Sequence, residues 1–91
     1  MFYVYFITNK HNITFYTGMT NNLNKRISEH FYKYRKGFSN QYNINKLVYY
    51  ETYEDWRSAF NRERQLKGWR RSKKDNLIKK VNPDWISMNE V

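Results

Sequence analysis

Phe2-Tyr3-Val4-Tyr5-Phe6-Ile7-Thr8-Asn9-Lys10-His11-Asn12-Ile13-Thr14-Phe15-Tyr16-Thr17-Gly18 opens the chain, and its reading decides the fold. Phe2 to Ile7 are all aromatic or β-branched with no helical spacing, the pattern of a strand buried on both faces. Asn9 to Asn12 tolerate tight turns, and Thr14 to Thr17 resume strand chemistry until Gly18, so the two runs predict a hairpin. Tyr5 and Tyr16 then fall on neighbouring strands and are expected as cross-strand partners.

From Asn21 or Asn22, both good N-caps, Leu23, Ile27, Phe31 and Tyr34 recur at helical spacing and predict a helix to about Lys36. Gly37 to Gln41 break that pattern, and Lys46 to Glu51 read as a third strand. Asp55 is placed to cap a second helix, with Trp56, Ala59, Phe60 and Leu66 on its apolar face and Gly68 as its stop. Ser72 with Asp75 resembles a capping box, and Leu77, Ile78 and Val81 are expected to bury a short third helix before Asn82-Pro83 ends it. The order is ββαβαα, in one domain over residues 1–85, with 86–91 expected to be a loosely held tail.

The chain's 91 residues close a single core, so one site is sought. Apolar mass comes from aromatics, at 20% of the chain, which bury a large area each and help a small domain fold. The absence of cysteine excludes disulfides and thiolate metal sites and makes the cytoplasm the default location. The opening apolar run is short and lacks a basic flank, unlike a secretory signal, and no stretch approaches the ~20 apolar residues of a membrane span. A formal charge of +9 attracts polyanions. Charge alone leaves nucleic acid, anionic lipid and acidic protein open as partners.

The residue with most to say is Glu63. At roughly 100° per residue it projects within about 20° of Trp56, in the middle of the second helix's apolar stripe. A lone buried carboxylate costs several kcal/mol, so Glu63 must meet a cation, a set of donors or a metal, or be protonated. An internal salt bridge satisfies that demand; so does a hard metal ion, since Mg²⁺ sites often use one or two carboxylates plus water and substrate phosphate.

Arg26 and His30 sit four apart on one edge of the first helix and point the same way. An Arg fork suits a phosphate because it gives bidentate donors and keeps its charge, and His30 is placed to relay a proton or donate a hydrogen bond. A tyrosine hydroxyl at Tyr5 or Tyr16 acts as a base only if cations depress a pKa that starts near 10, which Arg26 and a metal at Glu63 would do. Around these lie Arg62, Arg64, Lys67, Arg70, Arg71, Lys73 and Lys74, with Glu63 the only acid in the run. Singly each reads as a solvated residue; clustered, they read as a surface that binds phosphates without reading sequence.

The blocks Phe15-Tyr16-Thr17-Gly18-Met19-Thr20-Asn21-Asn22-Leu23, then Arg26 and His30, then Arg62 through Arg71, resemble the GIY-YIG nuclease domain in its small stand-alone UPF0213-type form. The family's two motifs correspond to Tyr3-Val4-Tyr5 and Tyr16-Thr17-Gly18: both tyrosines and the second glycine are kept, Tyr3 replaces the leading glycine, and Val4 and Thr17 replace the central isoleucines. His30 stands where many relatives have tyrosine, and Met19 where some have lysine. The resemblance implies an α+β fold in α/β/α layers, a three-stranded antiparallel sheet flanked by helices, with Gly18 structural. It also implies metal-dependent hydrolysis of DNA phosphodiester bonds, in DNA repair or recombination. Tyr5, Tyr16, Arg26 and His30 would be catalytic and Glu63 would hold one divalent ion, Mg²⁺ or Mn²⁺. DNA is expected ahead of RNA as partner, with room for a protein partner that supplies substrate recognition. The alternative is a DNA- or RNA-binding module that kept the scaffold without turnover.

Overall fold

The computed structural model describes residues 1–35 and 46–88, with the backbone alone over 30–35. Strand β1 (Phe2–Thr8) is central, flanked by β2 (Phe15–Thr20) and β3 (Lys46–Tyr53), and both pairings are antiparallel. Val4 through Thr8 are fully buried, as a strand with neighbours on both edges and helices on both faces requires. The order β1, β2, α1 (Leu23–Arg35), β3, α2 (Trp56–Lys67), α3 (Arg71–Val81) is the expected ββαβαα.

Side chains alternate across the sheet and build two cores. On one face Tyr5, Ile7 and Leu47 pack against Leu23 and Ile27 of α1. On the other, Val4, Phe6, Val48 and Tyr49 pack against Ala59, Leu66 and Ile78 of α2 and α3. The fold is therefore α/β/α in layers, and among the described residues α1 is the helix on the Tyr5 face. A bulge between Phe6 and Ile7 shifts the register of β1 against β3.

The caps follow local chemistry. Asn22 Oδ1 accepts from Lys25 N at 3.1 Å and starts α1; Asp55 accepts from Ser58 N at 2.8 Å and starts α2. Ser72 does not cap α3. The helix begins at Arg71, and Asp75 receives the Arg71 guanidinium at 2.8 Å instead of closing a capping box. Of the apolar residues expected to be buried there, Ile78 is in the core and Val81 is exposed.

Hydrogen bonds join residues 86–88 to β3 and to Asn82. Asn82 Nδ2 donates to Val48 O at 3.0 Å and Ile86 O at 2.8 Å, its Oδ1 accepts from Ile86 N at 2.9 Å, and Met88 N donates to Leu47 O at 2.7 Å. One buried amide thus ties the tail to β3. The expected Gly37–Gln41 loop and the Phe31 and Tyr34 side chains lie outside the described residues.

Candidate active site

The hairpin register sets the first piece of the site. Tyr5 pairs with Gly18, and Tyr16 pairs with Ile7, so the two tyrosines are diagonal neighbours on one face rather than directly opposed. Their rings converge over Gly18, with centroids 6.3 Å apart and planes 35° from parallel. A Cβ on Gly18 would stand 2.6 Å from Tyr5 Cζ and 2.7 Å from Tyr16 Cε1, closer than real contacts allow. The glycine is required because a phenol occupies the space that a side chain would take.

The first turn of α1 brings Arg26 onto this pair. Its Nε donates to the Tyr5 hydroxyl at 3.3 Å, and it is also hydrogen-bonded to Tyr16. These bonds raise a pKa that is already high, so the guanidinium stays charged at any accessible pH. One Nη reaches Glu29 at 3.3 Å, an exposed i,i+3 contact that contributes little.

Arg26 by itself does not depress the Tyr5 pKa. Burial pushes its phenol up to about 12, and the downward pull of Arg26 is smaller than that upward push. Tyr5 is therefore a neutral donor and acceptor at neutral pH, and Arg26 alone does not make it a base. The Glu63 charge is the smallest of the influences raising the Tyr5 pKa, and α2, which carries it, packs on the other face of the sheet from Tyr5.

The Glu63 side chain is 15% exposed, and its partner is Lys67 Nζ at 3.4 Å. Lys67 is half in water, so this i,i+4 pair is weak and exchangeable. No group of three or more His, Cys, Asp or Glu gathers among the described residues. The donor on offer there is one carboxylate. That hard, sparse set fits an Mg²⁺- or Mn²⁺-type ion that keeps water in its shell; it does not fit a tetrahedral zinc site. The His30 side chain lies outside the described residues.

The basic run divides in two. Arg62 is not available to phosphate: Nε and Nη2 donate to Glu51 at 2.9 and 3.0 Å and Nη1 to Gln65 at 2.8 Å. Arg71 is likewise committed, to Asp75, to Asn12 O and to Ile13 O, with its guanidinium 4.0 Å from the Phe15 ring centre, and so it locks the hairpin turn to α3. Lys74 is half-buried, and burial lowers its pKa. Arg64, Lys67, Arg70 and Lys73 are exposed and remain as the accessible cations of the run.

Sequence reasoning missed the Glu51 cluster. Tyr49, Glu51 and Tyr53 alternate along β3 and so share one face, a spacing legible in advance. Glu51 receives Arg62, the Tyr53 hydroxyl at 2.6 Å and the Tyr49 hydroxyl, and joins β3 to α2. Burial opposes its charge, but the bonds from Arg62, Tyr49 and Tyr53 outweigh it and hold the carboxyl below its usual range. On the α1 side of the sheet, a cleft of about 400 Å³ is lined by Tyr3, Asn21, Asn22, Leu23, Asn24 and Tyr50, one helical turn before Arg26.

The model of the GIY-YIG catalytic domain matches residues 1–76. The chain belongs to the GIY-YIG family. The matched span contains Tyr5, Tyr16, Gly18, Arg26 and Glu63, and nucleases of this GIY-YIG type are generally dependent on divalent metal. The UPF0213 protein CPE1444 of Clostridium perfringens (strain 13 / Type A) is 40% identical over 78 residues, covering 86% of this chain and 83% of that protein. The solution NMR structure of the UPF0213 protein BH0048 from Bacillus halodurans is similar in fold, with a TM-score of 0.59 at 24% identity over 93% of this chain and 90% of that one. Among the described residues no helix is long and apolar enough to cross a membrane.

Proposed function

We propose that this GIY-YIG domain is a divalent-metal-dependent endonuclease that hydrolyses DNA phosphodiester bonds, with DNA repair or recombination as its setting. The observation that carries the reading is the Arg26 guanidinium hydrogen-bonded to two phenols over Gly18. Arg26 would hold the scissile phosphate and offset the charge that grows on its non-bridging oxygens as water adds to phosphorus and the leaving oxygen departs. Tyr5, held as a neutral hydroxyl, would orient the attacking water together with Tyr16. His30 would assist proton movement at the same edge of α1. Glu63 would hold one Mg²⁺ or Mn²⁺, which when bound would supply Lewis-acid stabilisation of the phosphate and leaving oxygen. Arg64, Lys67, Arg70 and Lys73 would hold flanking phosphates, and a protein partner would supply target recognition.

Nicking of supercoiled plasmid, and cutting of branched, nicked and linear DNA, with Mg²⁺ or Mn²⁺ tests the reading. Glu63→Gln and Arg26→Ala are each expected to lower the rate by about 10²–10³ with an unchanged fold by circular dichroism. Undiminished cutting by either variant refutes the assignment. The Lys67 contact on Glu63 favours one alternative, a nucleic-acid-binding module without turnover. That reading predicts steeply salt-dependent binding and no product at any metal concentration.

A further inference from the structure

Trp56 and Phe60 stand one turn apart on α2 with ring centroids 4.8 Å apart and planes 11° from parallel. Helical periodicity puts Trp56 on the buried stripe, yet the indole is 51% exposed because it projects beyond the edge of the core that Ala59 and Leu66 close. The Arg64 guanidinium lies 5.6 Å from the Phe60 ring centre and extends the stack by another turn. An exposed indole stacked on a half-buried phenyl ring, with a guanidinium beside it, is the chemistry that receives a nucleobase, since every base offers a π-face.

The pair is also in line with the candidate site. Trp56, Phe60, Glu63 and Lys67 recur at i, i+4, i+7 and i+11 and so share one stripe of α2. At 1.5 Å per residue, Trp56 lies about 10 Å along the axis from Glu63. Charge fixes the direction. Arg64 and Lys67 flank the path, and the chain carries a net +9, whereas Glu54 and Asp55 lie just beyond Trp56 and repel phosphate. Asp55 is exposed and caps the helix through Ser58.

We propose that Trp56 and Phe60 form a stacking platform for an unpaired base a few nucleotides from the phosphate to be cut. The substrate class is then a strand with unpaired bases beside the scissile bond rather than continuous duplex. The inference rests on the nuclease reading for its position relative to Glu63, while base stacking itself does not require turnover.

The test is binding by the wild-type chain in chelator, so that nothing is cut, to fluorescein-labelled oligothymidylate, the same strand with abasic sites, and a duplex of equal length. Trp56→Ala should weaken oligothymidylate binding about 5- to 140-fold, the range of one lost base stack at tenfold per 1.4 kcal/mol, and leave duplex binding unchanged. Trp56→Phe should keep most of the affinity. The abasic strand should bind wild type and Trp56→Ala equally. Equal loss on all three ligands, or no loss on any, overturns the platform, as does sedimentation showing that Trp56→Ala only disrupts a dimer of this chain. If wild type cuts no DNA while the base-dependent loss stands, the nuclease reading fails and the platform survives. If wild type cuts but Trp56→Ala binds oligothymidylate normally, the platform alone fails.

Discussion

Gly18 faces Tyr5 directly across the β1–β2 ladder, and the phenol lies where any other residue would put its Cβ. The same phenol accepts from Arg26 Nε, so the glycine fixes the guanidinium indirectly. A methyl at position 18 meets Tyr5 Cζ at 2.6 Å and must displace it. Gly18→Ala is therefore expected to cost about 1–3 kcal/mol by overpacking, and to lower nicking more than that loss of folded protein explains. Thermal melting and nicking rate, measured on the same preparation, check both halves. Unchanged melting and unchanged rate would show that the ring is not held there.

Much of this arrangement was legible in the sequence because it rests on local rules. The strand Phe2–Thr8, the Asn22 and Asp55 caps and the order of elements follow from propensity and periodicity, which act within a few residues. The failures are long-range. Ser72 looked like a cap, but Arg71, drawn by Asp75 and by the hairpin turn, begins the helix. Trp56 had the right angle for burial, but helix periodicity does not say where the sheet beneath it ends. Arg62 and Arg71 looked like phosphate ligands because the acceptors that claim them, Glu51 and the Asn12 and Ile13 carbonyls, lie at least eleven residues away in sequence. For the site, the anomaly of Glu63 could be read, yet the outcome for Tyr5 could not. Whether burial or Arg26 dominates its pKa depends on depth, and depth is a property of the whole fold.

The division of the basic run has a measurable consequence. Arg64 and Arg70 are exposed, so Arg64→Ala and Arg70→Ala should each reduce the slope of log affinity for DNA against log salt by about 1, with melting unchanged. Arg71→Ala should instead lower melting, because its guanidinium ties the hairpin turn to α3. A Arg71→Ala protein with wild-type melting and a reduced salt slope would reverse that assignment.

The Glu51 cluster should make the fold sensitive to acid. Its carboxyl is held below the usual range, so the stability it contributes is present above an unfolded pKa of about 4.3 and is lost as pH falls through the lower folded value. Glu51→Gln leaves Arg62 without its counter-charge and is expected to cost about 2–4 kcal/mol at neutral pH. Urea titrations of both proteins should show that gap narrowing below about pH 4. A gap that stays constant into acid would mean that Glu51 contributes by packing alone.

Tyr5 predicts the opposite limb. Its folded pKa is raised to about 12, so the neutral phenol is favoured by folding. The corresponding stability is fully present below the unfolded pKa near 10 and is lost as pH rises from there towards 12. Several lysines titrate in the same window, so the informative quantity is a difference between proteins. Tyr5→Phe keeps the ring over Gly18 but removes the ionisable hydroxyl and the bond from Arg26. At neutral pH it should be destabilised by about 1–2 kcal/mol through the lost bond to a charged donor. Between pH 8 and pH 11, wild type should lose stability faster than the variant, and the two curves should converge. Parallel curves in chemical denaturation across that range would show that Tyr5 ionises as easily in the folded chain as outside it, and the assignment of Tyr5 as a neutral, water-orienting hydroxyl would fail.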